Sequence, residues 1–296
     1  MLRWRVISAV VLIAGLSAAC WLDLNHPPFG LGGLWLLPLG VAALVLASIE
    51  AARLMFPAGA LPHVLALTVG NLLIASTAAL PLCGPPLSTV APLERLAWPM
   101  MAFVVAMMGA FAVQMRDYQT GERAVGGLAR AVLGLAYIGV LMNLFFALRF
   151  VGDSLTGFVA LVSVIIVVKL SDIGAYAVGR LLGGKIFRGW KLAPRLSPKK
   201  TLEGAIGGVL AGCLGAWFAL CVLPGLLQAG GRPPVAVGMW IAYGVTLTLC
   251  GMFGDLAESL LKREAGAKDS GWLPGLGGIL DLMDSLLFSA PAAYLF

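Results

Sequence analysis

The segment GDLAESLLKREAGAKDSGWLPGLGGILDLMDSLLFS, Gly254 to Ser289, changes character twice: a charged stretch, a turn rich in glycine, then an apolar run. The whole chain of 296 residues is 60% hydrophobic and only 11% charged, yet here Asp255, Glu258, Asp269, Asp281 and Asp284 stand close to Lys262, Arg263 and Lys268. If a helix continues past Gly254, Asp255, Glu258 and Lys262 share one face, because residues three and four apart are helical neighbours. Arg263 falls on the adjoining stripe. Pro274 and the glycines of Leu273 to Gly278 break regular helix and leave backbone amides open to close approach by a ligand. Asp281 and Asp284, three apart, then open the final apolar segment. Two carboxylates on one helical face at membrane depth repel and are poorly solvated unless a cation lies between them. Hard oxygen donors with no His or Cys nearby suggest magnesium rather than zinc. The competing reading of this spacing alone is a solvated juxtamembrane loop with a fortuitous acidic pair.

Outward from this segment, the composition sets the class. A mean hydropathy of +0.96 and a net charge of +6 describe an all-α, polytopic integral membrane protein. No polar block is long enough for a separate soluble catalytic domain, so any chemistry must use residues in or just outside the spans. The cysteines, at 20, 83, 213, 221 and 250, lie mostly in apolar segments without paired spacing and read as small buried hydrophobes. His26 and His63 sit beside prolines at span ends and are weak candidates for a catalytic base.

About nine transmembrane helices are predicted, each near the twenty or so residues that cross the hydrocarbon layer. Arg3 and Arg5 precede an apolar run to Leu22, read as an uncleaved first span and not as a signal peptide. Further spans follow near Leu31–Ser48, Leu61–Leu82, Leu96–Met115, Leu128–Leu148, Leu155–Leu182, Ala205–Leu227, Val237–Phe253 and Leu280–Phe296. Residues 1–150 carry about five spans and no chemical motif; residues 151–296 form the candidate catalytic region with loops at 183–203 and 255–278. An amino terminus inside places these loops, with 49–60 and 116–127, on the side that holds most of the Lys and Arg. The opposite loops contribute only Arg95, Arg149 and Arg232. The expected location is therefore the cell's inner membrane, with the site facing the cytoplasm.

The sixth span is the unusual one. Lys169, Asp172, Tyr176 and Arg180 fall on one helical stripe, and ionisable groups inside a span are costly unless they face a polar interior. A structural Lys–Asp pair between helices is the plainer alternative. After it, Lys185, Arg188, Lys191, Arg195, Lys199 and Lys200 come with no acid before Glu203. A positive-inside anchor or contact with anionic lipid explains much of that charge. Within this loop, LSPKKTLEGAIGG gives Thr201 and Glu203 as starters of a helix whose amino end, reinforced by two lysines, faces an anion.

Taken together, Ser259, Lys262, Arg263, Lys268, Asp269, Leu273-Pro274-Gly275, Gly277-Gly278, Asp281, Asp284 and Ser285 resemble the long signature of the phosphatidate cytidylyltransferases, or CDP-diacylglycerol synthases. Ser197-Pro198-Lys199-Lys200-Thr201 with Glu203-Gly204 is similar to a second element of that family, and the stretch Lys169 to Gly184 to a third. The resemblance is weak over the first five spans. It departs at Leu276, where the family has His, and at Leu282, where it has Arg. The resemblance implies CTP and phosphatidate as substrates in phospholipid biosynthesis, magnesium as cofactor with a second cation left open, and no nucleic-acid partner. Together with the chemistry, it implies that Asp255, Asp281 and Asp284 hold metal with Glu258 in support. Lys262, Arg263, Lys268 and Asp269 would act on the triphosphate or headgroup, and Ser197, Lys199, Lys200, Thr201, Glu203, Asp172, Gly277 and Gly278 would bind substrate. A homodimer is left open, as no small-residue motif decides it. Competing functions are a transporter, which inverted repeats would favour and none are visible, a non-catalytic homologue, and a cytidylyltransferase acting on another lipid phosphate.

Overall fold

The computed structural model describes residues 2–56, 61–82, 96–118, 124–187, 190–227, 235–267 and 277–296. Among these, nine helical columns follow the order expected from the sequence. They are α1 (Leu2–Asn25), α2 (Leu37–Met55), α3 (Leu61–Ser76, prolonged by a 3-10 turn to Leu82), α4 (Ala97–Arg116), α5 (Ala124–Phe150), α6 (Ser154–Leu182), α7 (Leu202–Leu227), α8 (Val237–Glu264) and α9 (Ile279–Leu295). Among the described residues, the seven from α2 to α8 are long and apolar enough to cross a membrane. Val10–Asn25 of α1 is a shorter apolar stretch, and α9 has 17 residues.

The two longest helices exceed what a bilayer requires, and this positions the site. α6 has 29 residues and α8 has 28. At 1.5 Å per residue each spans roughly 42 Å, against roughly 30 Å of hydrocarbon. Their last turns therefore carry Tyr176 and Arg180, and Glu258 and Lys262, toward the polar zone. α6 begins at Asp153, whose carboxylate accepts the Thr156 amide at 3.3 Å as an N-cap.

Between α6 and α7 the chain forms a hairpin that the all-helical reading did not anticipate. β1 (Lys191–Ala193) pairs antiparallel with β2 (Ser197–Thr201), with Lys191 opposite Thr201 and Ala193 opposite Ser197. Runs of three and five residues are too short for alternation to stand out from a basic loop.

Packing between spans cannot rely on the hydrophobic effect, since lipid is as apolar as the helices; close approach and interhelical hydrogen bonds take over. α6 packs most extensively on α7. A Cβ at Gly204 would lie 2.9 Å from the Ala175 carbonyl oxygen, so only glycine lets the start of α7 approach α6 this closely. On α8, a Cβ at Gly254 would run into the Asp284 carbonyl of α9. Buried polar side chains are paired across helices: Asn71 with Ser48 at 2.9 Å, Asn143 with the Ile74 carbonyl at 2.9 Å, and Ser163 with Tyr243 at 2.6 Å. One apolar core takes Leu44 and Met142 from the first half together with Val164, Leu247 and Leu287 from the second. α9 touches α2 and α5 as well as α8. At the end of the bundle away from the hairpin, Asp23 and Arg149 form a buried pair at 2.7 Å, completed by the Gly33 amide at 2.6 Å and the Ser154 carbonyl at 3.0 Å.

Candidate active site

Four helices and the hairpin bring their charged residues to one end of the bundle. On α8 the i, i+4 spacing predicted from the sequence brings Lys262 Nζ within 2.6 Å of Glu258 Oε2. The same ammonium reaches across to α9, 2.5 Å from Asp281 Oδ1. Asp281 also accepts the Gly278 amide through Oδ2 at 2.8 Å, which fixes its carboxylate against the first turn of α9. Gly277 sits at φ 88°, a left-handed conformation suited to glycine, and turns the chain into that helix.

Lys200, inward on β2, pairs with Asp255 on α8. From α6, Lys169 Nζ lies 3.3 Å from Asp172 Oδ2 and 3.1 Å from the Leu282 carbonyl oxygen. Position 282, an apolar departure in the sequence, thus serves the site through its backbone. Asp284 is buried and accepts the Ser285 amide at 2.5 Å and its hydroxyl at 3.0 Å, with Asp255 and Lys169 as the charges that act on it. Arg180 donates to the Tyr176 hydroxyl at 2.9 Å, and Tyr176 is 67% exposed on the outer flank of α6. The predicted stripe of Lys169, Asp172, Tyr176 and Arg180 is therefore a physical one.

The loop motif divides by side chain. Lys199 points outward, Ser197 is half-buried, and Thr201 caps α7 by accepting the Gly204 amide at 3.2 Å. Glu203 is buried, and its Oε1 accepts the amides of Gly184, Ile186 and Phe187 at 3.1, 3.3 and 3.0 Å. Its observed bonds go to the loop that leaves α6, where it ties that loop to the first turn of α7, rather than toward an open surface. Arg263 is exposed on the last turn of α8. Lys268, Asp269 and Leu276 lie outside the described residues.

Five carboxylates (Asp172, Asp255, Glu258, Asp281 and Asp284) thus share this end with three ammonium groups (Lys169, Lys200 and Lys262). Among the described residues no three metal-ligating side chains are gathered as a finished cage. Lys200 and Lys262 instead bind the carboxylates expected to hold metal. The donor set nevertheless fits a hard divalent cation: it is all oxygen, its negative charge exceeds its positive charge, and Glu258 Oε1, in a side chain 1% exposed, has no hydrogen-bond partner.

One residue went unread in the sequence. Glu50, on α2, is 5% exposed and accepts the Ile279 amide at 3.1 Å and the Leu280 amide at 2.8 Å. The sequence reading puts it in the 49–60 loop just past the second span, where an acid needs no explanation. Lys169, read as part of a stripe and not as a site residue, also enters the cluster.

The sequence model of the cytidylyltransferase family matches residues 3–296. A protein of Brucella suis biovar 1 named phosphatidate cytidylyltransferase is 43% identical over 166 residues, covering 55% of each chain. One of the same name from Helicobacter pylori strain J99 is 43% identical over 164 residues, covering 55% of this chain and 54% of that one. Another, from a Synechocystis species, is 38% identical over 146 residues, covering 48% and 44%. These matches span about half the length of the relatives.

Proposed function

The chain belongs to the cytidylyltransferase family, and from that premise we propose that it transfers CMP from CTP to phosphatidate, giving CDP-diacylglycerol and pyrophosphate. A phosphate oxygen of the lipid forms a bond to the α-phosphorus of CTP, and the bond from that phosphorus to the α,β-bridging oxygen breaks. The nucleophile is already ionised at neutral pH, so no strong base is required; alignment and charge neutralisation are. The observation that carries the reading is the meeting of Lys169, Lys200 and Lys262 with five carboxylates at one end of the bundle.

Lys200 sits beside the capped amino end of α7, which favours anions, and Lys199 faces outward next to it. These two, with Ser197 and Thr201, bind phosphate oxygens. Lys262 and Arg263, with Lys268 and Asp269, act on the triphosphate or the lipid headgroup, while Gly277 and Gly278, half-buried and buried, keep the chain free of side chains beside it. Glu203 acts indirectly, by holding the loop. Asp255, Asp281 and Asp284, supported by Glu258 and Asp172, would hold magnesium, which when bound neutralises the phosphates. The exposed flank of α6 at Tyr176 suits a lipid whose acyl chains remain in the bilayer while its phosphate reaches the polar zone. The charge distribution of the loops supports the inner membrane, with this end in the cytoplasm.

The reaction is tested with CTP labelled separately at the α- and γ-phosphorus, given to purified protein with phosphatidate and magnesium in detergent. Label should enter lipid from the α position only. Transfer from the γ position would mean phosphoryl transfer, and no transfer to phosphatidate with turnover of another lipid phosphate would reassign the acceptor.

A further inference from the structure

We propose that Glu50, in the half of the chain without a chemical motif, is a positioning residue for the carboxylates of α9; this rests on the metal reading above. α9 starts at Gly278, which has no side chain with which to cap its own helix. The first amides of a helix have no partner within it. The Gly278 amide goes to Asp281, while those of Ile279 and Leu280 are taken by the two oxygens of Glu50 across the bundle, at 3.1 and 2.8 Å. Glu50 is thus a cap supplied in trans, and its charge is favoured at the positive end of the helix.

The same turn is also held from α6. Lys169 grips the Leu282 carbonyl at 3.1 Å. Glu50 from α2 and Lys169 from α6 therefore set the axial rotation of the turn that carries Asp281 and Asp284. A small rotation would swing both carboxylates away from Asp255 and Glu258 on α8. A purely structural cap would not need to be bidentate and 5% exposed on another span; a side chain that fixes the aim of metal donors would.

The test uses Mn2+, whose binding is read by electron paramagnetic resonance without substrate, together with thermal unfolding of the full-length protein in detergent. In Glu50→Gln the amide nitrogen faces a helix amide that it cannot accept from. Mn2+ affinity should fall by about 10-fold or more, the range for losing a residue that orients metal ligands. The unfolding midpoint should fall, because one helix amide loses its acceptor, with the variant still folded at the assay temperature, and the phosphatidate KM should be unchanged. Glu50→Asp keeps the charge but is one methylene short; it should fall between the two, and it carries the test if Glu50→Gln does not fold. Equal Mn2+ affinity in wild type and a folded Glu50 variant overturns the proposal alone. A wild-type protein that takes up no Mn2+ overturns the metal reading, and this inference with it.

Discussion

Lys262 is the residue on which the site's electrostatics turn, because its one ammonium serves both Glu258 and Asp281. Lys262→Met leaves two adjoining carboxylates with no shared cation, so both stability and activity should fall. Adding Glu258→Gln should restore the unfolding midpoint, since the repulsion goes with the charge, but not the turnover. Thermal unfolding and rate measurements on the double-mutant cycle separate the two effects. Recovery of turnover by the double variant would show that Lys262 acts only on its neighbours. Much at this scale was legible. The three- and four-residue spacings placed Asp255, Glu258 and Lys262 on one face, and Asp281 with Asp284 on another. That Lys262 would bridge the two faces was not legible, because it depends on how α8 meets α9. Glu50 was invisible for a related reason: its partners are backbone amides 229 and 230 positions away.

At the scale of elements, the α8–α9 contact and the hairpin each make a prediction. Gly254 is where α8 meets the Asp284 carbonyl of α9. Gly254→Val must push the helices apart and carry Lys262 away from Asp281, so activity should be lost in protein that still extracts as a folded species in detergent. A variant with wild-type turnover would mean that the helices can slide without disturbing the site. Glu203→Ala removes the acceptor of three loop amides. The segment from Lys185 to Lys199 should then become more sensitive to trypsin and the KM for CTP should rise, with kcat less affected. Unchanged proteolysis would contradict the tethering role. Spans were readable from hydropathy because bilayer thickness fixes their length. The hairpin was not, because its two short strands are held by pairing with each other rather than by any periodicity of their own.

At the scale of the whole molecule, the charges segregate into two ends with different duties. Far from the site, Asp23 and Arg149 are 0% and 4% exposed in their side chains and tie α1 to the α5–α6 junction. Arg149→Met strands a buried carboxylate and should cost on the order of 3 kcal/mol, while Asp23→Asn with Arg149→Met should recover most of it. Thermal unfolding reads both, and the KM for CTP should not change in the protein that remains folded. One core draws on both halves of the chain, so the first five spans pack as one body with the candidate catalytic region. The most direct test of the central claim measures labelled CDP-diacylglycerol formed from α-labelled CTP, phosphatidate and magnesium by wild type, by Asp281→Asn and by wild type with EDTA. The account predicts product with the wild type alone, at least about 100-fold above both controls, as expected when metal-assisted charge stabilisation is removed. Product formation by folded Asp281→Asn at the wild-type rate, or its persistence in EDTA, would contradict it.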